Sequence, residues 1–177
     1  MITKRNEIGK LMTQHKYGYA AEVGVQNGVF SRQILETWDG HLTLIDAWQK
    51  LDNYIDIANV EDFHQEIAYS NTRINTSEFS DRVKIIKGIS PEISDIFSDC
   101  SFDLVYLDAN HSYDAVISDI KSWINKVKTN GCICGHDYLD GNVPEGNFGV
   151  KSAVIDFFGK SPDIVTNEDW PSWFVFL

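Results

Sequence analysis

Basic residues are scarce. Lysine and arginine total 15 against 26 aspartates and glutamates, a formal charge of −11 over 177 residues. With no basic run to offset that charge, a phosphate backbone would be repelled, and nucleic acid is not an expected partner. Long apolar runs are missing too. The opening "MITKRNEIGK" has no signal-peptide core, and no later segment approaches the roughly 20 apolar residues of a membrane span. The expectation is a soluble, cytoplasmic protein that does not engage a membrane. Prolines number only 4, and no repeat, low-complexity tract or Pro/Gly linker precedes position 140. Residues 1–177 therefore read as one domain. Three cysteines, Cys100, Cys132 and Cys134, cannot all pair. The last two alternate in an apolar run like side chains on one face of a strand, so all three are expected as reduced core thiols.

What is present is a sizeable core and a repeating order. At 43% hydrophobic, the chain can bury one core. Short apolar runs bounded by turn or cap residues predict strands at Tyr19–Val23, His41–Asp46, Val83–Lys87, Phe102–Asp108 and Gly131–His136. Helical patterns separate them. The clearest follows Ser112 as N-cap and puts Val116, Ile120, Trp123, Ile124 and Val127 on one face. Apolar strands alternating with amphipathic helices imply a doubly wound α/β fold, a mostly parallel sheet with helices on both faces. After a helix over Val150–Phe158, "DIVT" and "SWFVFL" read as an antiparallel hairpin at one edge, for seven strands in all. Ligands of such a sheet bind beyond the carboxyl ends of its strands, near the point where strand order reverses.

The first strand end, "AEVGVQNGVFS", carries Glu22, Gly24, Gly28 and Ser31 before a helix starting near Gly28. Its glycines permit a sharp turn and close backbone approach, and the helix start offers free N–H groups. Gln26 stands where a dinucleotide fingerprint needs glycine, and no Gly-Lys-Ser/Thr follows, which disfavours nicotinamide and excludes a phosphate-cradling P-loop. The second strand ends in Asp46, placed to accept from ribose hydroxyls or to cap the next segment. The third runs into Gly88, Ile89 and Ser90, where a flat ring has room. This series resembles the cofactor half of class I S-adenosylmethionine-dependent methyltransferases, from about residue 18 onward. The resemblance implies the family's seven-stranded Rossmann-like sheet. It also implies Glu22, Gly24, Gly28 and Ser31 around the methionine moiety, Asp46 at the ribose, and Ile89 and Ser90 at the adenine.

The fourth and fifth strands end in Asp108 and in His136-Asp137. Neighbouring strands lie about 4.8 Å apart, so these three side chains can converge on magnesium or another divalent cation, provided the backbone has turned between His136 and Asp137. The alternative is structural: Asp108 caps the next helix while His136 and Asp137 anchor a loop. His111, in the same loop as Asp108, is the candidate base, or else an exposed histidine at a helix start. The arrangement resembles metal-dependent O-methyltransferases of sugars and other natural products, which carry Asp-x-x-His after the fourth strand and a paired acidic motif after the fifth. His136 replaces one of those acids, and Asn110 stands where some relatives carry another. The resemblance implies methyl transfer to a hydroxyl of a small molecule, with Asp108 and His111 catalytic and Asp108, His136 and Asp137 on the metal. Transfer to nitrogen or a carboxylate without metal is the alternative, as is a non-catalytic nucleoside-binding protein; a homo-oligomer stays open. "QKLDNYIDIANV" and "LDGNVPEGNFG", the second a glycine-bearing lid, are expected to shape the acceptor pocket, with Trp48, Tyr54 and Tyr138 against a ring or simply packed.

Overall fold

A computed structural model describes residues 2–52 and 54–177. Among these residues five α-helices and nine strands follow in the order α1 (Ile8–Gln14), β1 (Tyr19–Val23), α2 (Val29–Thr37), β2 (His41–Asp46), α3 (Asp62–Asn75), β3 (Val83–Lys87), β4 (Phe102–Leu107), α4 (Tyr113–Trp123), β5 (Val127–Gly135), β6 (Asp140–Val143), β7 (Gly146–Gly149), α5 (Val150–Phe158), β8 (Ile164–Val165) and β9 (Trp173–Phe176). The main sheet has seven strands in the order β3-β2-β1-β4-β5-β9-β8. The first five are parallel, whereas β9 runs antiparallel to β5 and to β8. The expected sheet and its terminal hairpin are both present, and the order reverses between β1 and β4.

Alternation along the strands divides the core. Ala20, Leu42, Leu44, Leu104, Tyr106, Cys132, Cys134 and Phe174 face α1 and α2, while Ala21, Val23, Ile45, Val105, Ile133 and Val175 face α4 and α5. Val116, Ile120 and Trp123 supply the buried stripe of α4, and Val150, Ala153 and Val154 that of α5. Both faces are covered, which is why the central strands read as nearly unbroken apolar runs.

Several boundaries differ from expectation. β4 stops at Leu107 and β5 at Gly135, leaving Asp108 and His136 just past the ladder. β5 starts at Val127 rather than Gly131, with a register shift against β4 between Phe102 and Leu104. Its polar "KTN" hides that start from a hydrophobicity pattern. The expected lid loop contains the hairpin β6–β7, whose Asp140–Val143 strand is exposed throughout. No helix among the described residues is long and apolar enough to cross a membrane.

The cysteines divide two to one. Cys132 and Cys134 are buried on one face of β5, but Cys100 is exposed, at a left-handed φ of 56° in the turn before β4. The expectation of a core thiol is thus corrected for Cys100, which lies outside the apolar alternation. In the native protein a thiol-reactive disulfide reagent should label Cys100 rapidly and reach Cys132 and Cys134 only on unfolding. Equal rates at all three would contradict the packing of β5.

Candidate active site

The carboxyl ends of β1 to β4 border a cavity of about 490 Å³. Its floor is the glycine turn after β1. Gly24 sits at φ +90°, and a Cβ there would lie 1.9 Å from the Asp108 carbonyl oxygen, so only glycine lets the two strand ends approach this closely. Asp46 braces the turn: its Oδ2 accepts from the backbone N–H of Val25 and Gln26, each at 2.8 Å, and its Oδ1 from that of Trp48 at 2.8 Å. Asp46 also lines the cavity, as the ribose assignment requires, but it is in addition a structural clamp. Gly28 is the N-cap of α2 in a left-handed conformation.

Glu22 is 1% exposed and accepts from Ser31 Oγ at 2.6 Å. Burial pushes its carboxyl up to about 8, against the opposing pull of the Ser31 hydroxyl and the Arg5 charge. At the other end of the cavity Ile89 is partly open, whereas Ser90 is fully engaged. The Ser90 hydroxyl donates to Asp119 Oδ1 at 2.5 Å and accepts from Trp123 Nε1 at 2.9 Å. Asp119 lines the same end of the cavity, and burial pushes it up to about 7.

The acids and histidines converge beside this cavity. Asp137 has φ +53°, so the chain has left the strand geometry and turned, which lets both His136 and Asp137 face inward. Donor atoms of Asp108, His111 and Asp137 lie within 4.8 Å of one another. His111 Nε2 is 3.4 Å from Asp108 Oδ1 and 3.2 Å from Asp137 Oδ2, and its Nδ1 is 3.1 Å from Asp56 Oδ2. Burial alone would lower the His111 pKa. The hydrogen bonds to Asp108 and Asp56, with the charges around them, outweigh that and push it up to about 10. Asp108 is held down to about 2, burial being overcome by Arg5 and the two histidines.

The expected division of roles is thereby redrawn. His136, expected as a ligand, stands outside the three-residue donor group: its Nδ1 lies 2.7 Å from Asp137 Oδ1 and 3.8 Å from Asp108 Oδ1. That short contact is off-line for a hydrogen bond, and Asp137 Oδ1 is buried with no hydrogen-bond partner. His111, expected as a base, stands inside the group and carries the proton. Asn110 caps the loop, its Oδ1 accepting from Ser112 N at 2.9 Å, while Ser112 occupies the N-cap of α4 without a side-chain cap bond.

Three site residues escaped the sequence reading. Arg5, from a 3-10 turn at Arg5–Glu7, places Nη2 2.5 Å from Asp108 Oδ2 and its guanidinium carbon 3.8 Å over the Phe30 ring. Asp56 belongs to the stretch expected to shape the acceptor pocket, but its pairing with His111 was not foreseen. Asp119 carried a legible signal, an acid in the buried stripe of α4. Of the aromatics expected against a ring, Trp48 is 1% exposed and donates to Gln26 O at 2.9 Å, so it supports the turn. Tyr138 packs with the α4–α5 core. Tyr54 lines the cavity and donates to Ala109 O at 3.1 Å. Phe148, on β7, stacks on His111 with centroids 4.9 Å apart.

Comparison with known proteins follows the same lines. A family model described as a methyltransferase domain matches residues 21–138, from β1 through the end of the acidic cluster. An O-methyltransferase from Bacillus cereus, solved with SAH, superposes with a TM-score of 0.68 at 12% identity, over 100% of this chain and 82% of that one. TomG of Streptomyces achromogenes, an O-methyltransferase involved in tomaymycin synthesis and solved with SAM, gives 0.68 at 13% identity over 97% and 78%. At such identities the likeness is one of fold. The uncharacterized protein y4gI of Sinorhizobium fredii is 27% identical over 106 residues, 60% of this chain, and the chain spans only 11% of that relative's length. With the family model covering more than half of the sequence and its strand ends forming one cavity, the chain belongs to the methyltransferase-domain family, with the class I methyltransferase fold.

Proposed function

We propose that this chain is an S-adenosylmethionine-dependent methyltransferase that acts on a hydroxyl of a small molecule, assisted by a divalent cation beside Asp108. The observation that carries the reading is the donor group of Asp108, His111 and Asp137 set against a cavity that begins at the glycine turn. Two carboxylates and an imidazole suit magnesium, manganese or a similar ion. The orphaned, buried Asp137 Oδ1 fits as well, since a carboxylate oxygen out of water and without a donor is costly unless a cation meets it. A cation held there would polarise the acceptor hydroxyl and lower its pKa.

The chain's own residues do the rest. Glu22 and the Gly24 turn border the methionine end, Asp46 the ribose, and Ile89 and Ser90, backed by Asp119, the adenine. Asp56 on Nδ1 orients the His111 ring and leaves Nε2 directed at Asp108 and Asp137, the second-sphere support common to metal-binding histidines. We assign Asp108, Asp137 and His111 Nε2 to the cation, the imidazole giving up its Nε2 proton on binding and keeping the one on Nδ1 toward Asp56; His136 stays outside the group. The segment around Tyr54 and Asp56 bridges to β7 through Asp56 and Gly146, so both acceptor-side segments close over His111 together. A cavity of this size, in a strongly acidic protein, favours a small acceptor over nucleic acid.

One observation favours a second reading. Arg5 and a protonated His111 already neutralise Asp108, so the cluster is compensated without metal, as transfer to nitrogen or a carboxylate would require. Chelation decides between the two. Under the first reading, removing divalent ions abolishes methylation of a hydroxyl acceptor and added manganese restores it; activity that survives exhaustive chelation supports the second.

His111→Ala should lower turnover and, in calorimetry, weaken manganese binding as well. Full manganese affinity with lost turnover would return His111 to the role of base. Asp46→Ala should weaken S-adenosylhomocysteine binding by about 10–100-fold, the scale of lost charged hydrogen bonds; unchanged affinity would remove Asp46 from the ribose site.

Glu22 gives a pH test. Raised to about 8 in the folded protein, it keeps a proton that an unfolded glutamate loses near about 4.3. Its stabilising contribution is full below about 4.3 and is lost as pH rises toward about 8. In urea unfolding, the stability of wild type relative to Glu22→Gln should therefore fall between about pH 5 and pH 8. A constant difference would show that Glu22 is ionised throughout.

A further inference from the structure

Arg5 has no assigned part in the reading above, yet it is the one lysine or arginine among the residues lining the cavity. The fold holds it there firmly. Its backbone N–H donates to Glu168 Oε2 at 2.6 Å, Asn167 N donates to Thr3 O at 2.9 Å, and Glu7 Oε2 accepts from Thr3 N at 2.8 Å. The guanidinium lies over Phe30, at the start of α2, and spends Nη2 on Asp108, while its Nε is buried with no partner. Asp108, held ionised beside it, repels an anion that enters the cavity, so Arg5 is where a ligand's carboxylate finds a partner. The same guanidinium competes with a divalent cation, because both neutralise Asp108.

We propose that Arg5 is a shared counter-ion that couples the two halves of the site: it pairs with Asp108 when the cavity is empty, and a ligand carboxylate bound to it frees Asp108 for a divalent cation. This rests on the reading that the amino-acid end of S-adenosylmethionine lies against Glu22 and Gly24. The sign of the coupling does not depend on how far Arg5 moves. If the side chain leaves Asp108, a ligand position opens; if it stays, the new carboxylate cancels its charge and the cation meets less repulsion. Reciprocity then requires the cation to tighten binding of the carboxylate ligand by the same factor. Arg5 acts here as a positioning residue, through Asp108.

Calorimetry on the full chain tests this with manganese as the cation and two nucleosides as ligands. S-adenosylhomocysteine carries the amino-acid carboxylate, and 5′-methylthioadenosine lacks it. In wild type, saturating S-adenosylhomocysteine should tighten manganese binding about 5-fold or more, the usual lower bound of such couplings, and 5′-methylthioadenosine should not. Arg5→Gln should bind manganese more tightly than wild type without any nucleoside, and should lose the dependence on S-adenosylhomocysteine. Equal manganese affinity in wild type with either nucleoside overturns the proposal without recourse to a variant, as does an Arg5→Gln protein whose coupling is intact. Failure of wild type to bind S-adenosylhomocysteine at all would instead overturn the functional reading beneath it.

Discussion

The approach of Gly24 to the backbone of Asp108 is the contact on which the site depends. β1 and β4 pair in parallel with Val23 opposite Leu107, and the ladder continues one bond further, from Asp108 N to Val23 O at 2.7 Å. At that point strand order reverses, and the chain after β1 must turn one way while the chain after β4 turns the other. A side chain on Gly24 would force the two apart, and with them the Asp46 carboxylate that bonds the turn and the Asp108 carboxylate that starts the acidic cluster. One missing Cβ thus sets the distance between the cofactor half and the chemical half of the cavity.

Burial of so many acids at one place would be prohibitive if they stood alone. The chain manages them in two ways. Glu22 and Asp119 are raised by burial, to about 8 and about 7, and each has a serine hydroxyl on it. Asp108 and Asp56 are lowered despite burial because cations meet them: Arg5 and His111 at the first, His111 at the second. Neutral acids lie toward the two ends of the cavity and ionised ones at its chemical side. The pattern separates a region suited to a largely uncharged nucleoside from one suited to a metal or a departing proton.

Much of this could be read from the sequence because the central strands are buried on both sides. Their apolar runs announce them, and the residue that ends each run is the one placed at the cavity. Asp46 and Asp108 follow from that rule alone, whereas His136 ends its run outside the cavity's lining. Other features obey no such rule. The strand β6 is polar and wholly exposed, so neither alternation nor apolar content marks it. Arg5 is joined to Asp108 across 103 positions by a segment whose own turn gives no hint of its destination. His111 rather than His136 is the histidine grouped with Asp108 and Asp137, because sequence spacing fixes which loop a histidine is in, but not which way its ring points. The left-handed turn at Asp137 re-aims the chain after β5, and although aspartate is enriched at positive φ, such positions are too uncommon to be placed from sequence.

The covering side of the cavity is built on a different principle from its floor. Its two segments, around Asp56 and along β6–β7, sit outside the main sheet and are joined to each other by the Asp56–Gly146 bridge and by the bond from Ile57 N to Glu145 O at 3.0 Å. Both segments meet one ring: Asp56 bonds His111, Phe148 stacks on it, and Tyr54 lies beside it. His111 is therefore at once a member of the acidic cluster and a contact shared by the covering segments. A change of charge at Nε2 alters what Asp56 feels on the other nitrogen, so the acidic cluster and the covering segments are linked through this imidazole. Segments fastened over a rigid floor can vary without disturbing the floor beneath them.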